Sequence, residues 1–197
     1  MKGIWGIVLA AGESKRMGSP KMTLPFRDKT IIGTVIANVM ASKVEKSIVV
    51  LGANHDEVLS LTEKYPVVNC FNANYKEGML SSVKCGFEHL PPDFRAALVL
   101  LGDQPMIETE VIDLVIDTYN TSDRGIVVPV HNGKRGHPLL VDGRYREEIY
   151  GLAGPDGLRG LLKKHPEDVL EVETGHLSVL KDIDTHEDYL NEVNQIT

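Results

Sequence analysis

Cysteine is nearly absent: two occur in 197 residues, Cys70 and Cys85. Neither belongs to a Cys-x-x-Cys pair or stands beside a histidine at metal-ligand spacing, so there is no zinc ribbon and no disulfide framework to read. Both are expected to be reduced core thiols. Long apolar runs are also missing. The longest, 4–11, falls far short of the roughly 20 residues a membrane helix needs, so no spanning segment is expected. Preceded by Lys2, that run could pass for a secretion signal, but a dense basic loop follows where a mature N-terminus would begin. A cytoplasmic protein is the expectation. A basic excess is lacking too, with 21 Lys and Arg against 28 Asp and Glu and a net charge of −7. Such a field repels nucleic acid and anionic membranes, so neither is an expected partner, while a local basic pocket for phosphates remains open.

What is present suits one domain spanning 1–197, because 42% apolar residues can bury a substantial core. Short apolar runs rich in β-branched residues alternate with longer segments of helical periodicity. The spacing predicts strands at 4–9, 47–51, 67–71, 96–101 and 125–130, with weaker signals at 138–141, 169–173 and 178–180. Helices are predicted at 31–42, 55–65, 80–90, 108–119 and 186–193. This is the rhythm of an α/β fold whose mostly parallel sheet is covered on both faces. Ligands in such sheets gather beyond the carboxyl ends of the strands, where loops and helix N-termini supply free N–H groups.

Directly after the first strand comes a stretch of small residues, a hydroxyl and three cations: Ala10, Ala11, Gly12, Ser14, Lys15, Arg16, Gly18 and Lys21. Its composition is that of a phosphate cradle. Small residues let backbone amides approach an anion, and Arg16 and Lys21 can hold phosphate oxygens. The plain alternative is a solvated basic turn. Neither the P-loop spacing nor the Gly-x-Gly-x-x-Gly spacing of dinucleotide folds is met.

The segment from Leu9 to Lys21 resembles the signature of nucleotidyltransferases with a Rossmann-like GT-A fold, Leu-Ala-x-Gly-x-Ser-x-Arg-Met-Gly-x-x-Lys, at every fixed position. The resemblance is to the molybdenum cofactor cytidylyltransferase family within the MobA-like superfamily. It implies a three-layer α/β/α fold and a nucleotide site built from Leu9, Ala10, Ala11, Gly12, Ser14, Arg16 and Lys21. Ala11 resembles the cytidylyl branch, where the guanylyl branch usually carries Gly, so CTP is the expected donor.

A triphosphate held by cations still calls for Mg²⁺, which favours one or two carboxylates with phosphate oxygens and waters. Gly102-Asp103-Gln104-Pro105 closes a fully apolar run and resembles the family's metal-binding turn, which makes Asp103 the first metal candidate; a turn former is the plain alternative. The stretch from Asp182 to Asp188 reads plainly as a helix cap with acids in the first turn. The resemblance makes Asp184, in preference to Asp182, the second metal ligand. Ser82, with Ser81 behind it, resembles a base-reading serine, whereas Met79 and Val83 read as packing residues.

The segment 131–138 reads as a hairpin turn decorated with cations, and its Arg135-Gly136-His137-Pro138 core resembles an acceptor-side element. With Gln104 these make up the expected acceptor site. Residues 152–164 resemble an acceptor-side loop of undefined role. The implied reaction is CMP transfer from CTP to molybdopterin, in service of a molybdenum hydroxylase client. Two rivals are transfer with GTP or to a sugar phosphate or methylerythritol phosphate, and a non-catalytic maturation factor that binds the cofactor.

Overall fold

The computed structural model describes residues 3–194; Lys2 of the signal-like reading lies outside them. Ten strands and seven helices follow in the order β1 (Ile4–Ala10), β2 (Pro25–Phe26), β3 (Lys29–Thr30), α1 (Ile31–Ala41), β4 (Lys46–Leu51), α2 (His55–Thr62), β5 (Val68–Phe71) and α3 (Met79–Glu88). The remainder are β6 (Ala96–Leu101), α4 (Thr109–Asn120), β7 (Ile126–His131), β8 (Lys134–Arg135), β9 (Leu139–Asp142), α5 (Arg146–Gly151), α6 (Arg159–Lys164), β10 (Val169–Glu173) and α7 (His186–Asn194).

The main sheet has the order β10-β7-β9-β6-β1-β4-β5, with β8 paired to β7. Pairing is parallel everywhere except at β9, which runs against both β6 and β7, and at the β7–β8 hairpin. Strand alternation explains the layering. Val8 and Ala10, Val49 and Leu51, and Leu98 and Leu100 face α1, α2 and α4, while Ile7 and Leu9, Ile48 and Val50, and Val99 face α3, α5 and α6. Both faces are apolar because both are covered, which is why these runs lack polar alternation. No helix of the described residues is long and apolar enough to cross a membrane.

One expected strand is absent. Residues 178–180 lie in a 3₁₀ turn, Leu177–Leu180, because Gly175 turns the chain back in the left-handed region and only Val179 is tucked fully inward. A single bond, from the N–H of His137 to the Val179 carbonyl at 3.0 Å, joins this turn to the sheet region. That contact leaves no room for a side chain on Gly136, whose added Cβ would lie 2.1 Å from the Val179 oxygen. Gly136→Ala is therefore expected to cost about 2–3 kcal/mol, read as a lower urea midpoint. An unchanged midpoint would contradict the packing described.

Cys70 on β5 and Cys85 on α3 are buried free thiols, with the Cys85 thiol donating to Cys70 Sγ at 3.8 Å. They are core thiols as expected, but the reading that no histidine stands near them is corrected: His89, at the end of α3, brings a ring nitrogen within 4.8 Å of both sulfurs. Its Nδ1 is tied to the Cys85 carbonyl at 2.8 Å. Burial pushes both thiols above their ordinary range, so native protein at pH 8 is expected to react with a disulfide reagent far more slowly than unfolded protein. Equal rates would refute it.

Candidate active site

The ends of β1, β4 and β6 meet at one edge of the sheet. Leu9 accepts from the Gly102 N–H at 2.9 Å and Ala11 from the Ala53 N–H at 3.2 Å, so the loop leaving β1 is pinned on both flanks. Gly52 allows this approach; a Cβ there would stand 2.7 Å from the Ala11 carbonyl oxygen. Ser14, at φ +50°, occupies the left-handed region that side chains avoid. Two bonds hold it there: its carbonyl accepts from Met17 at 3.0 Å, and its hydroxyl accepts from the Lys21 backbone N–H at 3.2 Å. Ser14 thus folds the loop back so that Lys21 turns inward.

Lys21 is 7% exposed, unusual for an ammonium group. Its Nζ lies 2.6 Å from Asp103 Oδ2 and 2.9 Å from Asp184 Oδ1, and Arg16 meets the other Asp184 oxygen at 2.8 Å. Burial by itself would lower the Lys21 pKa, but the two carboxylates outweigh it and hold the group above its ordinary value. Asp103 presents its second oxygen, Oδ1, buried and without a hydrogen-bond partner.

Asp184 arrives because Ile183 anchors its segment. The Ile183 side chain is buried against Phe26 and Ile31, and its N–H donates to the Asp103 carbonyl at 3.0 Å. Flanking Ile183, Asp182 and Asp184 both reach the Asp103 carboxylate, and the three carboxylates offer oxygens within 4.8 Å of one another. Burial, and then repulsion from Asp184 and Asp103, raises the Asp182 pKa. Three acids gathered around one cation, with a buried oxygen unpartnered, form a donor set suited to a hard divalent ion.

Beside this cluster opens a cleft of about 470 Å³ lined by Leu9, Ala11, Gly12, Ser14, Arg16, Lys21, Ser82, Asp103 and Asp184. Ala10 and Gly102 stand behind that lining as part of the support. Tyr75, Lys76 and Met79 also line it, and the sequence reading missed the first two. The packing role expected of Met79 is corrected: at the start of α3 it is 58% exposed and lines the cleft. Val83, one turn on, is buried as expected.

A second cleft, about 500 Å³ and more apolar, adjoins the first through Gly78 and Met79. Arg135, Gly136 and His137 line it, together with Gly154 to Arg159 of the segment whose role the sequence left open. Gln104 and Pro138 line neither cleft; both are buried. Arg135 is exposed and paired with Glu171 at 2.7 Å. Burial, opposed by Asp103 and assisted by the Arg159 charge, lowers the His137 pKa.

A parallel sheet with a phosphate-type loop after its first strand, an inward lysine and gathered acids at the same edge defines a nucleotide-handling α/β protein. The match to family models specifies which: residues 6–169 fit the MobA-like NTP transferase domain, and the chain belongs to that nucleotidyltransferase family. It is 29% identical over its whole length to the molybdenum cofactor cytidylyltransferase of Escherichia coli strain K12, covering 99% of that protein. It is 27% identical to the nicotine blue oxidoreductase of Paenarthrobacter nicotinovorans over 93% of each chain. Among solved structures, the homolog of Mycobacterium tuberculosis Rv0371c from Mycobacterium sp. strain JC1 superposes with a TM-score of 0.84 at 28% identity, covering 98% of this chain and 96% of that one.

Proposed function

We propose that the chain transfers the cytidylyl group of CTP to a phosphorylated acceptor, molybdopterin or its metal-loaded form, and releases pyrophosphate. An oxygen of the acceptor phosphate attacks the α-phosphorus, and the bond to the bridging oxygen breaks as pyrophosphate leaves with the electron pair. No protein nucleophile is required. The carrying observation is the meeting of Lys21 with Asp103 and Asp184, from three distant parts of the chain, at the mouth of a cleft floored by Ala11 and Gly12.

Arg16 and Lys21 bind the phosphates, and as transfer proceeds they oppose the charge that builds on the departing pyrophosphate. Asp103 and Asp184, with Asp182 beside them, would hold Mg²⁺, which when bound neutralises phosphate charge. The unpartnered Asp103 Oδ1 fits that role. The second cleft suits a flat heterocycle on its apolar wall, with Arg135 and His137 orienting the acceptor.

The test is pyrophosphate release with each of the four nucleoside triphosphates and Mg²⁺, with and without molybdopterin. CTP with molybdopterin is expected to give the fastest release. Faster turnover with GTP would move the chain to the guanylyl branch, and turnover only with a sugar phosphate or methylerythritol phosphate would replace the acceptor. Tight pterin binding with no pyrophosphate would favour a carrier that hands the cofactor to a molybdenum hydroxylase.

A further inference from the structure

Asn72 follows β5 and is nearly sealed, at 5% exposed. Its carboxamide makes three bonds. The backbone N–H of Asn74 meets one side-chain atom at 2.9 Å. A backbone N–H can only donate, so that atom is the oxygen. The nitrogen therefore faces α3, where it donates to Ser81 Oγ at 2.8 Å and to Ser82 Oγ at 3.0 Å. Both serines accept from Asn72, so the proton of each must point elsewhere.

Ser81 has two carbonyls for its proton, Asn74 at 2.9 Å and Gly78 at 2.8 Å. A helical serine ordinarily turns its hydroxyl to the carbonyl one turn back. For Ser82 that carbonyl belongs to Gly78, and the Ser81 hydroxyl and N–H already converge on it. Ser82 is 4% exposed, lines the cleft assigned to the nucleotide, and among the described residues its proton has no acceptor.

We propose that Asn72 is a positioning residue that occupies one lone pair of Ser82 and so leaves the hydroxyl proton free to be donated to the nucleotide base. The inference rests on the nucleotide reading of the cleft and deepens it. Cytosine carries two adjacent acceptors on its pairing edge, O2 and N3, whereas uracil carries O2 next to an N3–H donor. A hydroxyl whose proton is free can donate to cytosine at either atom and to uracil at O2, and its readiness to do so is set by a residue behind the lining.

Asn72→Asp tests this directly. The carboxylate has no N–H; it keeps the bond from the Asn74 amide and draws the serine protons toward itself, leaving Ser82 with lone pairs facing the cleft. Calorimetric titration of CTP with Mg²⁺ is expected to show binding weaker by about 10- to 100-fold, the effect of burying an unsatisfied acceptor against another acceptor. In the Ser82→Ala background the same substitution should cost less than about twofold, since no hydroxyl remains to be turned. An equal loss in both backgrounds would mean that Asn72 only braces the loop, and a loss under about threefold with Ser82 present would mean it does nothing to the base; either overturns the proposal. Should Asn72→Asp not fold, Asn72→Ala removes the donor without adding charge, and is expected to weaken CTP by about 3- to 10-fold only when Ser82 is present. Failure of the unsubstituted protein to bind CTP at all would overturn the nucleotide reading itself, a result distinct from any pattern among the variants.

Discussion

Lys21→Ala is expected to lower pyrophosphate release by about a hundredfold or more, the consequence of losing roughly 3 kcal/mol of charge stabilisation from a buried ammonium. The magnitude follows from burial. Lys21 is 7% exposed and needs no reorganisation to meet an anion, so its ammonium acts at short range in a medium that screens poorly. Lys21→Arg should recover little, because a planar guanidinium does not fit a pocket in which one Nζ sits within 3 Å of both Asp103 and Asp184. The fold should survive, since Ile183 stays packed on Phe26 and Ile31 and bonded to the Asp103 carbonyl. Single-turnover assays alongside circular dichroism separate the two effects. Turnover near that of the unsubstituted protein in a folded Lys21→Ala variant would remove the basis of the proposed mechanism.

Asp103→Asn is expected to be as damaging, again about a hundredfold or more, for a different reason. Shape is preserved, but the charge facing Lys21 is lost, and so is the oxygen best placed for a divalent ion. Asp184→Asn should be milder, because Asp184 is more exposed and Asp182 stands beside it with an oxygen in the same cluster. Titrating Mg²⁺ in the assay makes the comparison. Asp184→Asn is expected to regain part of its rate at high Mg²⁺, and Asp103→Asn is not. Equal rescue of both would show that Asp103 has no privileged part in holding the ion.

Much of this was legible in the chain because the relevant signals are local. The buried runs from Ile4 and from Ala96 are apolar on both faces, and that pattern belongs to a covered parallel sheet. Asp103, directly after β6, was readable because ligand groups follow strands in such sheets. What escaped depended on shorter or longer range. The helices Arg146–Gly151 and Arg159–Lys164 span under two turns each, too little for periodicity to register. Residues 178–180 resemble a strand in sequence because their apolar side chains cannot reveal that Gly175 reverses the chain just before the turn Leu177–Leu180. Asn72 gave no signal at all. Its importance lies in which of its two amide ends faces α3, and only the Asn74 N–H decides that.

The reversed strand β9 has a consequence for how such a protein can change. Because β9 runs against its neighbours, it begins at the edge where the others finish, so Arg135 to His137 border the second cleft by preceding a strand instead of following one. The hairpin that delivers them turns at Asn132 and Gly133, both exposed and both already in left-handed backbone. Residues inserted at that tip would lengthen an ornament outside the packed layers, while the first cleft, held by bonds among β1, β4 and β6, would not register the addition. The second cleft can therefore be remodelled at a removable wall, and the first stays as it was.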